Sequence, residues 1–299
     1  MLKQAIKSVL PKSSQRHLLA LHYRIFPRAY VRANFVRHHG YRPNLNNPKT
    51  FSEKLAYRRM RERNPLFELC SNKFTVRKYV ESKLDTDISI ELYGHHKQIT
   101  AKTFERLPED FVIKTSHGSG NNDIVTKGVG FDGHQLAEKY NRLINSPSHF
   151  SWKYNRLPAD RYILIEKLML DENGCIPSDY KFHCFNHSEH GFNYFLQVDS
   201  DRYNDQRQDI FDKDLNRLDL CWSDLPTTIG SFDCPSNYRE MVEIARQLSA
   251  DFKYVRVDLY NIKGKIYFGE LTFMHRAGFS KITPREWDDK LGELWEIGS

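Results

Sequence analysis

At 299 residues, 39% of them hydrophobic and 13% aromatic, the chain is long enough for one large or two closely joined globular units with a real core, which excludes a disordered or fibrous protein. The formal charge of +7 is uneven: residues 1–44 hold nine Lys or Arg and no Asp or Glu, whereas the rest has 36 basic against 38 acidic residues, which argues against a nucleic-acid-binding body with a global basic face. Five scattered cysteines without CxxC spacing indicate neither a disulfide framework nor a zinc knuckle, and no apolar run approaches the ~18–20 residues of a membrane span, so a cytoplasmic protein is expected.

The first segment, 1–46, reads as a basic arm. Leu18, Leu19, Leu21, Tyr23 and Phe26 among Lys and Arg predict an amphipathic helix, suited to lie on an anionic membrane or an acidic partner, or to pack on the body with its charges in water. An irregular stretch, HHGYRPNLNNP, follows. In NPKTFSEKLAYRRMRER, Thr50 and Glu53 have capping-box spacing before an amphipathic helix, and a second helix is expected over Leu66 to Val80, giving a helical unit over 47–105.

From residue 103 the pattern changes. TFERL predicts a short helix, DFVIKTS a strand, HGSGNND a glycine-rich turn and IVTK a second strand, with a helix around Gln135 to Leu143. The strands YILIEKLML, DYKFHCFN and HGFNYFLQVD come next, then the amphipathic helix NYREMVEIARQLSADF and the hairpin YVRVDLYNIKGKIYFGELTF. Antiparallel hairpins mixed with helices indicate an α+β fold rather than a doubly wound parallel sheet.

Two features carry chemistry. Lys114 ends an apolar strand that runs into HGSGNN, where Gly118 and Gly120 tolerate positive φ and let backbone N–H groups turn inward around an anion. The spacing fits neither a Walker loop nor a GxGxxG turn, and a GSG alone is often only a hairpin turn, but a lysine beside Val112 and Ile113 is explained by a phosphate. The second feature is the hairpin. Read as a three-residue loop with Gly264 left-handed, it pairs Asn261 with Lys265 and sets Arg256 opposite Glu270. Arg256, Asp258, Glu270 and Thr272 then share one face, with Asp258 and Glu270 diagonal at roughly 7–8 Å. Val255, Val257, Leu259, Tyr267 and Leu271 form the core stripe on the other face. Two carboxylates so placed suit Mg²⁺ shared with a nucleotide phosphate; an exposed sheet face with an Arg256–Glu270 ion pair is the alternative. His183, His187 and His190 have metal-like spacing, but a strand end and a turn should scatter them.

The stretches NPKTFSEKL, NKFTVRKYV, FVIKTSHGSGNN, YILIEKL, DYKFHCFN, VRVDLYNIKGKIYFGELTF and PREWDDKLGEL, in this order, resemble the ATP-grasp superfamily, specifically its teichuronopeptide-biosynthesis (TupA-like) branch. The resemblance implies an ATP-grasp fold with two α+β subdomains sandwiching the nucleotide, a lid over 106–168 and a C-terminal unit over 169–299. It implies ATP as cofactor, with Lys73, Lys114 and Lys181 on its phosphate side and His117, Gly118, Ser119 and Gly120 in the closing loop. Glu166, Lys167 and Leu168 fall where adenine and ribose are held. Asp258 and Glu270 match the magnesium carboxylates and Arg256 the arginine against the transferred phosphoryl group; Arg256 and Lys114 are the expected catalytic pair. Thr272 stands where many such ligases keep Asn, which weakens one metal position. Arg276 and Gly278, in FMHRAGFSK, are the expected substrate contacts, Arg276 as a clamp on a carboxylate.

The activity implied is carboxylate–amine ligation through an acyl-phosphate, with a uronic acid of a cell-surface polysaccharide and an amino acid or amine as partners. A small-molecule kinase and a non-catalytic nucleotide-binding assembly protein are the competing readings. The basic arm, residues 1–44, is compatible with work at the inner membrane face.

Overall fold

The computed structural model describes residues 26–108, 110–146, 160–201, 205–222 and 225–297. The expected amphipathic segment from Leu18 lies, except for Phe26, outside the described residues. Helix α1 (Pro27–His39) buries Val31 and Phe35 against Leu45 and Ala56, and its Arg28, Arg32 and Arg37 face solvent. Gly40 ends it in the left-handed conformation.

Helix α2 (Phe51–Met60) starts with the expected capping box, the Thr50 hydroxyl accepting from Glu53 N–H at 3.1 Å while the Glu53 carboxylate accepts from the Thr50 N–H. The single helix expected over Leu66 to Val80 is two: α3 (Leu66–Ser71) and α4 (Val76–Lys83). Asn72 makes the break, because its backbone is extended and its carboxamide oxygen accepts from Phe74 N–H, a local bond that competes with helix.

Four strands, β1 (Leu92–His96), β2 (Asp110–Thr115), β3 (Asn122–Thr126) and β4 (Ile163–Lys167), form an antiparallel sheet of order β1-β4-β2-β3. Helix α5 (Gly133–Leu143) and the 3-10 turn Ala101–Phe104 back it, burying Phe111, Ile113 and Tyr140; the short helix expected in TFERL is this earlier, tighter turn. The larger sheet, also antiparallel, has order β7-β6-β5-β8-β9, from β5 (Asp179–His187), β6 (Gly191–Ser200), β7 (Arg207–Phe211), β8 (Tyr254–Ile262) and β9 (Lys265–Thr272). Strands β1 and β7 were not expected from the sequence.

Alternation gives the larger sheet two characters. Phe182, Cys184, Leu196, Val255, Val257 and Leu259 point to one face and pack on α3, α4 and α6 (Tyr238–Ser249). On the opposite face, Phe185, Phe195, Ile210 and Tyr254 pack on α2 and on α7 (Glu286–Leu294). The rest of that face is polar and turns toward the smaller sheet. The linking chain joins the two sheets: Phe268 N–H of β9 donates to the Ile88 carbonyl at 2.7 Å, four residues before β1.

The hairpin corrects the expected register. Its turn has two residues, Lys263 and Gly264, both with positive φ, so Ile262 pairs with Lys265. A bulge at Gly269 then shifts the pairing again, and Asp258 lies directly opposite Glu270 while Arg256 faces Thr272. The bulge also puts Phe268 rather than Tyr267 in the core, because Ile266 and Phe268 precede the extra residue and Leu271 and Phe273 follow it.

Candidate active site

Between the sheets lies a cavity of about 230 Å³, lined from the smaller sheet by Val112, Lys114, Ile124 and Glu166, and from the larger by Asp179, Lys181, Arg256, Asp258 and Glu270. Lys73, Gly118, Ser119, Gly120, Lys167 and Leu168 are also among its lining residues.

The break between α3 and α4 puts Lys73 here. Its N–H donates to the Ser116 carbonyl at 2.7 Å and its ammonium to the Gly118 carbonyl at 2.6 Å, so it ties the helices to the glycine-rich turn. Burial lowers its pKa, and the Glu270 carboxylate opposes that fall. Gly118 and Gly120 have φ of 76° and 75°, as the turn requires. Lys114 reaches Glu166 at 2.5 Å, and Arg77, from α4, reaches the other oxygen of that carboxylate at 3.1 Å. Glu166 therefore pairs two cations inside the cleft wall.

On the larger sheet Arg256 grips Asp258 through two bonds, Nε to Oδ1 at 2.7 Å and Nη2 to Oδ2 at 2.6 Å. Nη2 also donates to Glu270 Oε1 at 3.1 Å and to the Thr272 hydroxyl at 3.2 Å, and that hydroxyl donates to Glu270 at 2.8 Å. The four residues thus share one face, as expected. Burial, reinforced by the facing Glu270, pushes the Asp258 carboxyl up although Arg256 opposes it. Burial would raise Glu270 too, but Lys73 and Arg256 hold it well below the usual carboxylate range.

Lys181 sits between Asp179 at 3.0 Å and Asp199 at 2.9 Å. Neither aspartate was singled out in the sequence. The signal was present as alternation: Asp179, Lys181 and His183 on β5 and Gln197 and Asp199 on β6 are polar residues spaced by two in otherwise apolar strands. Arg77 had no such signal, since it lies on a helix remote in sequence.

Other expected residues lie elsewhere. His117 does not line the cavity; it is buried, its Nε2 is 3.3 Å from the Ser146 carbonyl, and burial lowers its pKa. Arg276 is exposed on the 3-10 turn His275–Gly278, also outside the cavity lining. Gly278 is packed against Leu55, where a Cβ would stand 3.3 Å from the Leu55 Cβ, and its carbonyl lies 3.3 Å from His39 Nε2. Of the three histidines with metal-like spacing, His183 is fully buried, while His187 and His190 meet Glu189 in the β5–β6 turn with ligand atoms within 4.8 Å of one another.

The lining among the described residues contains hard carboxylate oxygens, no Cys or His, and the Met169 thioether as its one soft donor; the carboxylates together fit Mg²⁺ rather than a softer metal. Lysines from both sheets and the α3–α4 break converge on the same space, which suits a polyphosphate. Among the described residues no helix is long and apolar enough to cross a membrane.

The TupA-like ATPgrasp family profile matches residues 53–296. No curated protein matches the chain. Among solved structures, D-alanine–D-alanine ligase from Helicobacter pylori is similar at 14% identity and a TM-score of 0.45, over 76% of this chain and 62% of that one. L-amino acid ligase from Bacillus licheniformis is similar at 12% identity and a TM-score of 0.43, over 90% of this chain and 56% of that one. An ADP complex of N5-carboxyaminoimidazole ribonucleotide synthetase gives 13% and 0.44, over 69% and 45%. This chain thus spans less than two thirds of the length of each.

Proposed function

Because the chain belongs to the TupA-like ATPgrasp family, we propose that it is an ATP- and Mg²⁺-dependent carboxylate–amine ligase working through an acyl-phosphate. The observation that carries this reading is the direct opposition of Asp258 and Glu270, bridged by Arg256, across a cleft from Lys73 and Lys114. In this reading Asp258 and Glu270 hold the magnesium, which when bound screens the charge of the phosphates. Lys73, Lys114 and Lys181 neutralise phosphate oxygens, and Gly118 to Gly120 cover them with backbone N–H groups. Lys167 and Leu168, at the end of β4, border the space for adenine and ribose. Arg256, oriented by its two bonds to Asp258, supplies a fixed positive charge to the phosphoryl group in transfer.

The γ-phosphoryl group passes to a substrate carboxylate, and an amine then displaces phosphate to leave an amide and ADP. The substrate class we propose is a uronic acid of a cell-surface polysaccharide, with an amino acid or amine as the second partner, by analogy with the teichuronopeptide branch that the sequence resembles, with which the matched family is compatible. Arg28, Arg32 and Arg37, exposed on α1, support a peripheral contact with the anionic inner membrane face.

ADP release measured against a matrix of uronic acids, nucleotide sugars and amino acids tests the proposal: a ligase needs both partners for turnover. With the correct carboxylate and hydroxylamine in place of the amine, a hydroxamate is expected. Turnover without hydroxamate would instead identify a kinase, and unchanged biological output in Glu270→Gln a non-catalytic assembly protein.

A further inference from the structure

Behind Lys181 runs a buried chain of hydrogen bonds that the proposed chemistry leaves unused. Asp199 Oδ2 holds the Lys181 ammonium, and its Oδ1 accepts from the carboxamides of Gln197 and Gln208, each at 2.9 Å. Burial would raise the Asp199 pKa, but Lys181 and these donors hold it below the usual range, so the group is an anion that only accepts.

That anion sets the direction of every bond beyond it. Gln197 must present Nε2 to Asp199, because its oxygen there would meet a carboxylate; Oε1 therefore faces His183 Nε2 at 3.0 Å. An amide oxygen only accepts, so His183 Nε2 carries the proton. His183 is fully buried and its pKa is driven well below the ordinary value, which leaves Nδ1 bare. The Tyr254 hydroxyl, 3.0 Å away, donates to it. Tyr254 Oη then accepts from His275 Nδ1 at 3.3 Å. The chain runs in one sense from His275, beside Arg276, to Asp199.

We propose that Asp199 is a positioning residue for Lys181 on the phosphate side of the cleft, held in place by this single-sense strut of Gln197, His183, Tyr254 and His275. Asp179 lines the cavity and competes directly with a ligand for Lys181; Asp199, braced from behind by two amides, keeps the ammonium aimed when Asp179 lets go. The role in phosphate binding rests on the nucleotide reading above, whereas the strut stands independently of it.

Two measurements on the full chain test the two parts. Histidine side-chain ¹H–¹⁵N correlation spectra of the unsubstituted protein at neutral pH should show His183 protonated at Nε2 and bare at Nδ1, with His275 protonated at Nδ1 and bare at Nε2. The opposite tautomer at His183, or an imidazolium, overturns the strut.

For Asp199, ADP and adenosine affinities are compared by calorimetry. In Asp199→Asn, with its fold checked by circular dichroism, ADP binding should weaken on the order of tenfold while adenosine binding stays unchanged. Gln197→Leu leaves every charge in place and should weaken ADP by about threefold, again sparing adenosine. Equal losses for both ligands mean a merely structural role, and unchanged ADP affinity in either folded variant severs Asp199 or its brace from Lys181; each result overturns the proposal. Failure of the unsubstituted protein to bind ADP sinks the nucleotide reading and the role of Asp199 together, a pattern distinct from ADP binding that Asp199→Asn leaves intact.

Discussion

Asp258 faces Glu270 directly across the β8–β9 pair, and the second carboxylate reaches the cleft because Gly269 adds one residue to its strand. Without the bulge, period-two alternation would place Glu270 on the same face as Ile266 and Phe268, which are core residues. A Cβ on Gly269 would stand 3.0 Å from the Asp258 carbonyl oxygen and 3.3 Å from the Tyr260 ring. Gly269→Val should therefore cost about 1–3 kcal/mol of stability and disturb the paired carboxylates. Urea denaturation and Mn²⁺ binding by electron paramagnetic resonance check both effects; a variant that keeps stability and metal affinity would show that the bulge tolerates a side chain.

The smaller sheet has its own electrostatic anchor. Glu166 is buried between Lys114 and Arg77, so Glu166→Gln leaves two cations sharing a neutral amide. Removing one member of a buried charge cluster costs about 3–5 kcal/mol. A fall in the urea midpoint with an unchanged denaturant slope is the expected outcome. Lys114→Met together with Glu166→Gln should recover part of that loss, since fewer charges then remain unpaired.

Acid should weaken the fold through its buried histidines. Burial drives His183 well below its ordinary pKa, and burial next to Arg256 and Arg276 drives His275 down to about 3. Both are neutral when folded and titrate near 6.5 when unfolded, so the unfolded chain takes up protons first. Their contribution is fully present above pH 6.5 and is lost as pH falls toward the folded values. Each histidine contributes a slope of about 1.4 kcal/mol per pH unit in that window. Denaturation of the unsubstituted protein and of His275→Asn at pH 7, 6 and 5 measures it, and the slope of the variant should be lower by about 1.4 kcal/mol per pH unit whatever the other groups contribute.

Helix α7 docks on the start of α2 through a glycine. A Cβ on Gly292 would lie 2.1 Å from the Lys49 carbonyl oxygen and 2.9 Å from Phe51 N, both backbone atoms. Beside it, Asp288 accepts from the Ser52 N–H at 2.8 Å and the Lys54 ammonium donates to the Gly292 carbonyl at 2.7 Å. Gly292→Ala should cost about 3 kcal/mol or more, because neither backbone can give way without losing these bonds. Thermal denaturation tests it; a melting temperature equal to that of the unsubstituted protein would contradict the packing.

Local chemistry made much of this legible from sequence. The capping box of Thr50 and Glu53, the strand patterns around Lys114 and Arg256, and the shared face of Arg256, Asp258, Glu270 and Thr272 all follow from periodicity and short-range bonding. The face survived a wrong register because a two-residue turn and a one-residue bulge together shift the pairing by two, and side chains alternate with period two. Gly269 itself was a readable sign, since a glycine inside a strand pattern often marks a bulge.

What the chain could not declare by itself are the contacts between residues far apart along it. Arg77 meets Glu166 across 89 residues, Lys73 reaches Gly118 across 45 and Asp288 caps α2 across 236. Periodicity gives the face on which a side chain lies but not the partner brought opposite it, because that depends on how sheets and helices stack. The same limit explains Arg276 and Gly278, expected at the substrate and found outside the cavity lining. A sequence contains the donors and acceptors; packing decides which of them share a dry space, and that space is where a charge must find its counterpart.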